Sequence, residues 1–547
     1  MIDSKEFIRE NIFPVRIVSL SGTVTDSEAL LKKQDLQITT DENKCICLKN
    51  KKTGKNAEII LDFGKEINAS LRVLTYTSDG VSPVKVSITY GESVSETMHP
   101  VGHKNSTNDH AIRDFIYYLP DYSDMTFNES GFRFAKITLL SKNTSVKIKA
   151  VTAVAKYRDI PYLGSFRCDN ETLNKIYDIS AYTCHLTMQN YIWDGIKRDR
   201  LVWVGDMHPE MLTVRTVFGN HDIIPSSLRF MREQTSLPSW MNGMPTYSLW
   251  WLLILRDWYF YSGNRDFLEE NREYAVALCK IISELINDDG TDNLPSYFLD
   301  WPCNNKPQSE SGSRALLCLA LEAASNLCTY YNEKNIATSC LRSKQILLGT
   351  VIESYGAKQV TAMSALAGFT DKDKAAEIIL HNGCEGWSTF MSYYLLKAAS
   401  EKNMEATLEA LEEYYGGMIK MGATTFWEDF DIRWTENASP VDEIPVKGKT
   451  DIHADNGAFC YKGLRHSLCH GWASGPAAFL AEEVLGIKIL SEGCKKIKIT
   501  PSLGNLSFAE GTYPTPHGII KVKCRKNGTA TEIEYSAPDC IEIITES

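Results

Sequence analysis

The chain has 547 residues, too many for a single hydrophobic core, which stops growing near ~250–300 residues. Its 43% hydrophobic and 23% charged content is ordinary for a globular protein, and a formal charge of −11 excludes nucleic acid as the main partner, which needs a basic footprint. No apolar run approaches the ~20 residues needed to cross a bilayer.

The start, MIDSKEFIRENIFPV, has no apolar h-region, so no secretory signal is expected. Residues 1 to about 160 are β-rich. IILDFG, ASLRVLTYTS, VKVSITYGES, RDFIYYLP, FRFAKITLLS and VKIKAVTAVAKY are short β-branched or aromatic runs punctuated by Gly, Asn, Asp and Ser. This spacing predicts a β-sandwich of jelly-roll type. The 15 cysteines are scattered, with Cys45 and Cys47 the closest pair and no CxxC or zinc-type spacing. They are expected to be reduced, buried and small-apolar in role, as in a cytoplasmic protein.

From about 168 to 484 the pattern turns helical. DNETLNKIYDISAYTCHLTMQN opens with Asp169 or Asn170 as N-cap and an apolar stripe from Leu173, Ile176 and Tyr177. Around a dozen amphipathic stretches follow, from PEMLTVRTVF to GWASGPAAFLAEEVLG, which suits a toroid of paired helices; a bundle or solenoid also fits, though no fixed repeat is present. From about 485 strands return in CKKIKITPS, GIIKVKCRK and ATEIEYSAPDCIEIIT.

The chemistry concentrates in YIWDGIKRDRLVWVGDMHPE, residues 191–210. Asp194, Asp199, Asp206 and Glu210 are interleaved with Lys197, Arg198 and Arg200, between Trp193 and Trp203. No helical or strand period runs through it, which predicts a loop between helices. Carboxylates beside guanidinium groups and indole rings suit a sugar site: rings stack on the pyranose, carboxylates bind hydroxyls, and one carboxyl acts as an acid. The bland alternative is a surface loop with ion pairs.

All 11 Trp residues lie between Trp193 and Trp472. Trp250, Trp251 and Trp258 sit mid-helix and are expected in the core, Trp301 and Trp427 in the site. YFLDWPCNN places Asp300 beside Trp301. GATTFWEDFDIRW puts Glu428, Asp429 and Asp431 between Trp427 and Trp434, a second carboxylate cluster far along the chain from the first. Glycoside hydrolysis needs two carboxyl groups flanking the scissile bond, and each cluster can supply one. In HSLCHGWASGP, His466 and His470 are spaced i, i+4, which on a helix could hold a metal. Without HExxH or a third ligand, a neutral histidine bonded to a sugar hydroxyl or a carboxylate is preferred. KRDR has no Gly-rich loop beside it, so phosphate binding is set aside.

These motifs resemble those of the α-L-rhamnosidases of glycoside hydrolase family 78. DGIKRDRLVWVGD, Asp194 to Asp206, matches a family segment of the type DCPQRERLGWTGD at the same spacing. GATTFWE matches the family's GATTxWE. The resemblance implies Asp199 as general acid, Glu428 as general base, and sugar contacts from Asp194, Arg198, Trp203, Asp206, Asp300, Trp301, Trp427 and His470. LDFGKEINASLRV with ITYGES, and ILSEGCKKIKITPSLGNLSFAEGTYPTPHGIIKVK, extend the likeness to both ends of the chain. It implies a multidomain protein: an (α/α)6 barrel over 161–484, an N-terminal β-sandwich over 1–160 and a C-terminal β-sandwich domain over 485–547. The implied activity is that of an inverting, exo-acting α-L-rhamnosidase without metal or organic cofactor. The expected partner is a carbohydrate substrate, with no nucleic acid and no membrane; assembly into a homo-oligomer is left open.

Two positions depart from the family. The acid position holds Asp199, one methylene shorter than the family's Glu, and DCPQ is replaced by DGIK. Action on another deoxysugar or a uronic acid, or sugar binding without catalysis, are the alternatives. An acid must hold its proton, and an inward Arg198 or Arg200 opposes that. At least one is therefore expected to turn aside and pair with Asp206 or Glu210.

Overall fold

The computed structural model describes residues 6–38, 40–41, 44–304, 307–528 and 530–546. The first five residues, part of the stretch expected to carry no secretory signal, lie outside these. Nine strands come first: β1 (Phe7–Ile12), β2 (Arg16–Ser21), β3 (Thr23–Thr25), β4 (Ile46–Asn50), β5 (Glu58–Asp79), β6 (Val84–Gly91), β7 (Asp114–Leu119), β8 (Ser123–Leu139) and β9 (Thr144–Arg158). They form one sheet in the order β3-β4-β9-β5-β8-β6-β7, with β1 added to β9 and β2 to β5, every pairing antiparallel. The spine is β5. Its odd-numbered residues Ile59, Leu61, Ile67, Ala69, Leu71 and Val73 are buried in the sheet's own core, the period of two that puts alternate side chains on one face. The register against β8 breaks between Asp62 and Ile67, an irregularity of the kind that bends a long strand.

The helices are α1 (Val94–Met98), between β6 and β7, then α2 (Glu171–Thr187), α3 (Met207–Val217), α4 (Ile223–Gln234), α5 (Pro245–Ser262), α6 (Arg265–Glu270), α7 (Arg272–Ser283), α8 (Gln308–Tyr330), α9 (Lys334–Leu348), α10 (Lys358–Ala367), α11 (Lys372–Leu380), α12 (Ser392–Ser400), α13 (Met404–Lys420) and α14 (Pro476–Phe479). Asn170 caps α2, its side chain accepting from the N–H groups of Thr172 and Leu173. Gly263 ends α5 in the left-handed region at φ 66°. Contacts run from α3 to α5, α8, α10, α12 and α14, and from α14 back to α3, so six helices close a ring.

Two helices, the short α1 and α10, have no counterpart in the sequence reading. KQVTAMSALA is buried nearly all round, so it shows no apolar stripe. The stretch 265–288 divides at Asn271, whose side-chain N–H₂ donates to the carbonyl of Phe267. GWASGPAAFLAEEVLG is a 3-10 turn, the short α14 beginning at Pro476, and a π turn rather than one helix.

The remaining strands are β10 (Ser165–Cys168), β11 (Ala438–Ser439), β12 (Thr450–Asp451), β13 (Ile487–Ile489), β14 (Lys496–Ile499), β15 (Phe508–Thr515), β16 (Gly518–Asn527), β17 (Ala530–Ser536) and β18 (Glu542–Thr545). β10 joins the C-terminal sheet β10-β15-β16-β17, and β13-β14-β18 form a smaller one. Ile487, Ile497, Tyr513 and Ile520 share one core with the helices, whereas the N-terminal sheet keeps a separate core. None of the 15 cysteines is in a disulfide, and most of them are buried. Among the described residues no helix is long and apolar enough to cross a membrane.

Candidate active site

The loop between α2 and α3 is pinned by its own backbone. Asp194 N–H donates to the carbonyl of Leu201 at 3.0 Å, Leu201 N–H returns a bond to Asp194 Oδ1 at 2.9 Å, and Gly471 N–H donates to the Asp194 carbonyl at 2.7 Å. Between these ties Asp199 and Arg200 both hold positive φ, 51° and 56°. Two consecutive side-chain-bearing residues in the left-handed region are costly, and such strain persists only where surrounding structure enforces it. It turns the Asp199 carboxyl into the cleft, where Oδ2 accepts from Trp203 Nε1 at 3.2 Å.

Glu428 reaches the same cleft from the loop after α13. Its N–H donates to the carbonyl of Ser467, its Oε2 accepts from Ser467 N–H at 3.1 Å, and its carbonyl accepts from Thr389 Oγ1 and Trp472 Nε1. Arg198 links the two carboxylates. One guanidinium nitrogen donates to Asp199 Oδ1 at 2.8 Å and another to Glu428 Oε1. Burial pushes the Glu428 carboxyl up, and Arg198 opposes that rise.

Asp194 and Asp206 form the floor with His470, whose Nε2 lies 3.7 Å from Asp194, 3.9 Å from Asp206 and 3.9 Å from Glu428, and Glu210 is buried near them. Burial drives the Asp194, Asp206 and Glu210 carboxyls well above the usual carboxylate range; the charge of Asp206 adds to the rise at Asp194 and Glu210, and that of Glu428 adds to the rise at Asp206. Burial and Arg198 hold the His470 imidazole neutral. The packing there is tight: a Cβ on Gly471 would stand 1.6 Å from Glu210 Oε1.

The cleft holds about 250 Å³ and is lined by Asp194, Arg198, Asp199, Trp203, Asp206, Trp301, Glu428 and His470, all named from the sequence. Asp300 and Trp427 stand behind the wall. Asp300 Oδ1 accepts from Trp301 N–H at 2.8 Å, its other oxygen accepts from Ser388, and burial pushes its carboxyl up to about 6. Trp427 is buried against Phe430 and His466.

The two arginines differ from expectation. Arg200 turns aside, but its partner is Glu129 of β8 at 2.8 Å, and its guanidinium lies over Trp193. Arg198 points inward and pairs with Asp199 and Glu428, not with Asp206 or Glu210. The spacing of His466 and His470 is not helical: a short 3-10 turn ends at His466, and His466 Nε2 accepts from Asp429 N–H at 2.9 Å. Among the described residues one cluster, Glu92, Glu96 and His453, brings potential metal ligands together. Lys197 Nζ lies 2.9 Å from Glu92 and 3.4 Å from Glu96, so an ammonium ion already serves these carboxylates.

Sequence reasoning missed Met244, Tyr247, Phe298, Cys460 and Trp472, which complete the wall. Tyr247 O–H donates to Asp206 at 3.2 Å. It also missed His110, on the loop between α1 and β7, whose Nδ1 lies 3.4 Å from Asp199 Oδ1. No local motif marks His110; only folding brings it there.

A closed ring of helices carries loops whose carboxylates Asp199 and Glu428 meet in one cleft. Residues 161–331 match the bacterial alpha-L-rhamnosidase 6 hairpin glycosidase domain. An alpha-L-rhamnosidase of Alteromonas sp. (strain LOR) is 23% identical over 552 residues, covering 88% of this chain and 55% of that protein. Among solved structures, the family 78 rhamnosidase of Bacillus sp. GL1 superposes with a TM-score of 0.74 at 21% identity, over 92% of this chain and 54% of that one. A rhamnosidase from Klebsiella oxytoca with rhamnose bound superposes with a TM-score of 0.66 at 18% identity, over 87% of this chain and 95% of that one. The chain spans about half the length of the Alteromonas relative.

Proposed function

We propose that the chain is an inverting, exo-acting α-L-rhamnosidase that releases terminal L-rhamnose from glycosides or oligosaccharides. The observation that carries this reading is that Asp199 and Glu428 face one cleft and share the Arg198 guanidinium. Asp199 gives its proton to the glycosidic oxygen as the bond to the anomeric carbon breaks. Glu428 takes a proton from the water that attacks the opposite face of the ring. The floor carboxyls Asp194 and Asp206, held protonated by burial, donate to sugar hydroxyls, and neutral His470 adds a further contact. Trp203 and Trp301 line the sugar's apolar sides, with Trp427 and Asp300 supporting from behind. This chemistry requires no metal or organic cofactor.

The same reading divides the chain into 1–160, a jelly-roll-like β-sandwich; 161–484, an (α/α)6 barrel; and 485–547, a C-terminal β-domain. The ring of α3, α5, α8, α10, α12 and α14 supports the barrel. The separate core of the N-terminal sheet supports the first boundary.

The test is incubation with an aryl α-L-rhamnoside while the anomeric proton of the released sugar is followed by NMR. Release of β-L-rhamnose first supports inversion; α-L-rhamnose first indicates retention. The charge-assisted pairing of Arg198 with Asp199 at 2.8 Å also suits a protein that binds sugar without cleaving it, and absence of turnover with retained rhamnose binding selects that reading. A panel of other aryl glycosides tests the sugar.

A further inference from the structure

We propose that a second cavity, inside the helix ring and beyond the floor of the cleft, is a binding site for an aromatic carboxylate. This ligand is distinct from the sugar, and its site is independent of the glycosidase reading.

The ring sets the two sites apart. Helices α3, α5 and α12 begin at or just beyond the cleft, after Asp206, Met244 and Thr389. The second cavity is lined from further along the same helices. His208, Leu212 and Arg215 come from one face of α3, and Trp250, Leu253, Asp257 and Phe260 from one face of α5. Among the described residues none lines both spaces. The cavity holds about 360 Å³ against about 250 Å³ for the cleft, which is within the ~300–1,000 Å³ of small-molecule sites. His208, Trp250 and Tyr394 are buried and close its inner end, while Lys397 and Lys488 are 34% and 36% exposed and mark its mouth.

The cavity is short of one negative charge. Arg256 pairs with Asp257 at 2.6 Å, and Lys488 pairs with Glu483. Arg215 and Lys397 share Glu482, with Lys397 at 3.6 Å from it and 3.8 Å from the already paired Glu483. Four cations thus face three carboxylates. Burial holds the His208 imidazole neutral against the pull of Asp257, so it adds no charge. Arg215 shows the shortfall directly: one of its Nη atoms donates to Glu482, while its buried Nε has no hydrogen-bond partner among the described residues. A buried cation without its full set of acceptors is costly, and a carboxylate supplies them.

One missing negative charge selects a monoanion, a carboxylate and not a phosphate dianion. The walls select the rest of the ligand. Trp250, Phe260, Tyr393, Tyr394 and Tyr513 surround the space, with Leu319 of α8 and Leu366 of α10. A neutral sugar finds few open partners there. His208 is bonded to Tyr394 at 2.7 Å and to Asp257 at 3.2 Å, and Tyr393 O–H donates to Glu482 at 2.6 Å. A flat ring packs on the aromatic walls and leaves its carboxylate for Arg215 and the lysines of the mouth.

The experiment uses the full chain and 2-naphthoate as the probe, followed by calorimetric titration. The wild type should bind 2-naphthoate. It should bind 2-naphthylmethanol, which has the ring without the charge, and acetate, which has the charge without the ring, at least ~tenfold more weakly. Leu319→Trp fills the cavity while keeping every ion pair, and should abolish binding. Lys488→Glu reverses a charge at the exposed mouth, and should weaken 2-naphthoate severalfold while leaving 2-naphthylmethanol unchanged. If Leu319→Trp does not fold, Lys488→Glu carries the test alone. Absence of 2-naphthoate binding by the wild type overturns the proposal. So does equal binding of the uncharged alcohol or of acetate, or binding that the folded variants leave undiminished.

Discussion

Lys197 Nζ lies 2.9 Å from a carboxylate oxygen of Glu92, and both side chains are buried. The pair joins the loop carrying Asp199 to the N-terminal sheet. Glu92 also accepts from Leu468 N–H at 2.6 Å and from Ser467 Oγ at 3.2 Å, beside the Ser467 N–H that holds Glu428. One buried carboxylate next to the N-terminal sheet thus braces both loops that carry the proposed acid and base. Removing one partner leaves an uncompensated buried charge, which costs ~3–5 kcal/mol. Lys197→Met should lower Tm and kcat together, and Lys197→Met with Glu92→Gln should recover part of the Tm. A double variant no more stable than the singles would show that the two residues are not coupled.

The acid and the base should fail differently. Glu428→Gln should abolish cleavage of every substrate, because water needs its base whatever departs. Asp199→Asn should abolish cleavage of glycosides with poor leaving groups and keep much of the activity on acidic phenols, which leave without protonation. The measurement is kcat/KM for both variants on both substrate types. Equal losses on both would refute the role assignment, and survival of aryl activity in Glu428→Gln alone would reverse it.

As the proposed base, Glu428 is expected to set a pH limb. Burial raises its carboxyl above the ordinary value of 4.5 despite Arg198. A base works only when ionised, so activity falls as pH drops through this raised value. The acid limb of kcat/KM should therefore lie above that of an exposed glutamate. Arg198→Ala removes the opposing cation and should move the limb further up; a limb that stays in place or moves down would mean that another group is titrating.

Gly471 is required by space. With a Cβ 1.6 Å from Glu210 Oε1, Gly471→Ala must displace either that carboxylate or the chain that receives Gly471 N–H at Asp194. We expect overpacking of ~1–3 kcal/mol in stability and a larger fall in activity. Gly471→Ala with Glu210→Ala should restore Tm but not turnover, as read by thermal melts and initial rates.

Acid stability should depend on Glu482. It accepts from Arg215 and Tyr393 and lies 3.6 Å from Lys397, and despite burial Arg215 pulls its carboxyl down to about 2. A depressed carboxyl contributes stability that is complete above its unfolded value near 4.5 and is lost as pH falls toward 2, on the order of 3 kcal/mol. Glu482→Gln should be less stable at pH 7 and should show a flatter Tm profile between pH 4.5 and 2. An unchanged slope would place the acid lability elsewhere.

The sequence by itself determined the features that local spacing encodes. Period-two alternation marks β5, apolar stripes mark helices such as α2 and α13, and Asn170 announces a cap. Asp194, Asp199 and Asp206 lie in one loop whose interleaved charges break both periods, and Glu428 lies in a recognisable motif. Signals of this kind survive because backbone geometry couples residues only a few positions apart. The α10 segment was illegible for the same reason: buried on nearly every side, it has no stripe to read.

Only the tertiary structure decided what meets across the chain. His110 reaches Asp199, Glu92 holds Leu468 across 376 positions, Tyr247 reaches Asp206, and Phe459 stacks on Trp301. It also decided that Arg200 answers Glu129 while Arg198 stays inside between Asp199 and Glu428. The contacts of His110, Glu92 and Glu129 depend on how two separately packed cores dock, and the others on how distant segments of one core pack. Docking is set by shape and buried charge summed over many residues, and no short stretch of sequence carries that sum.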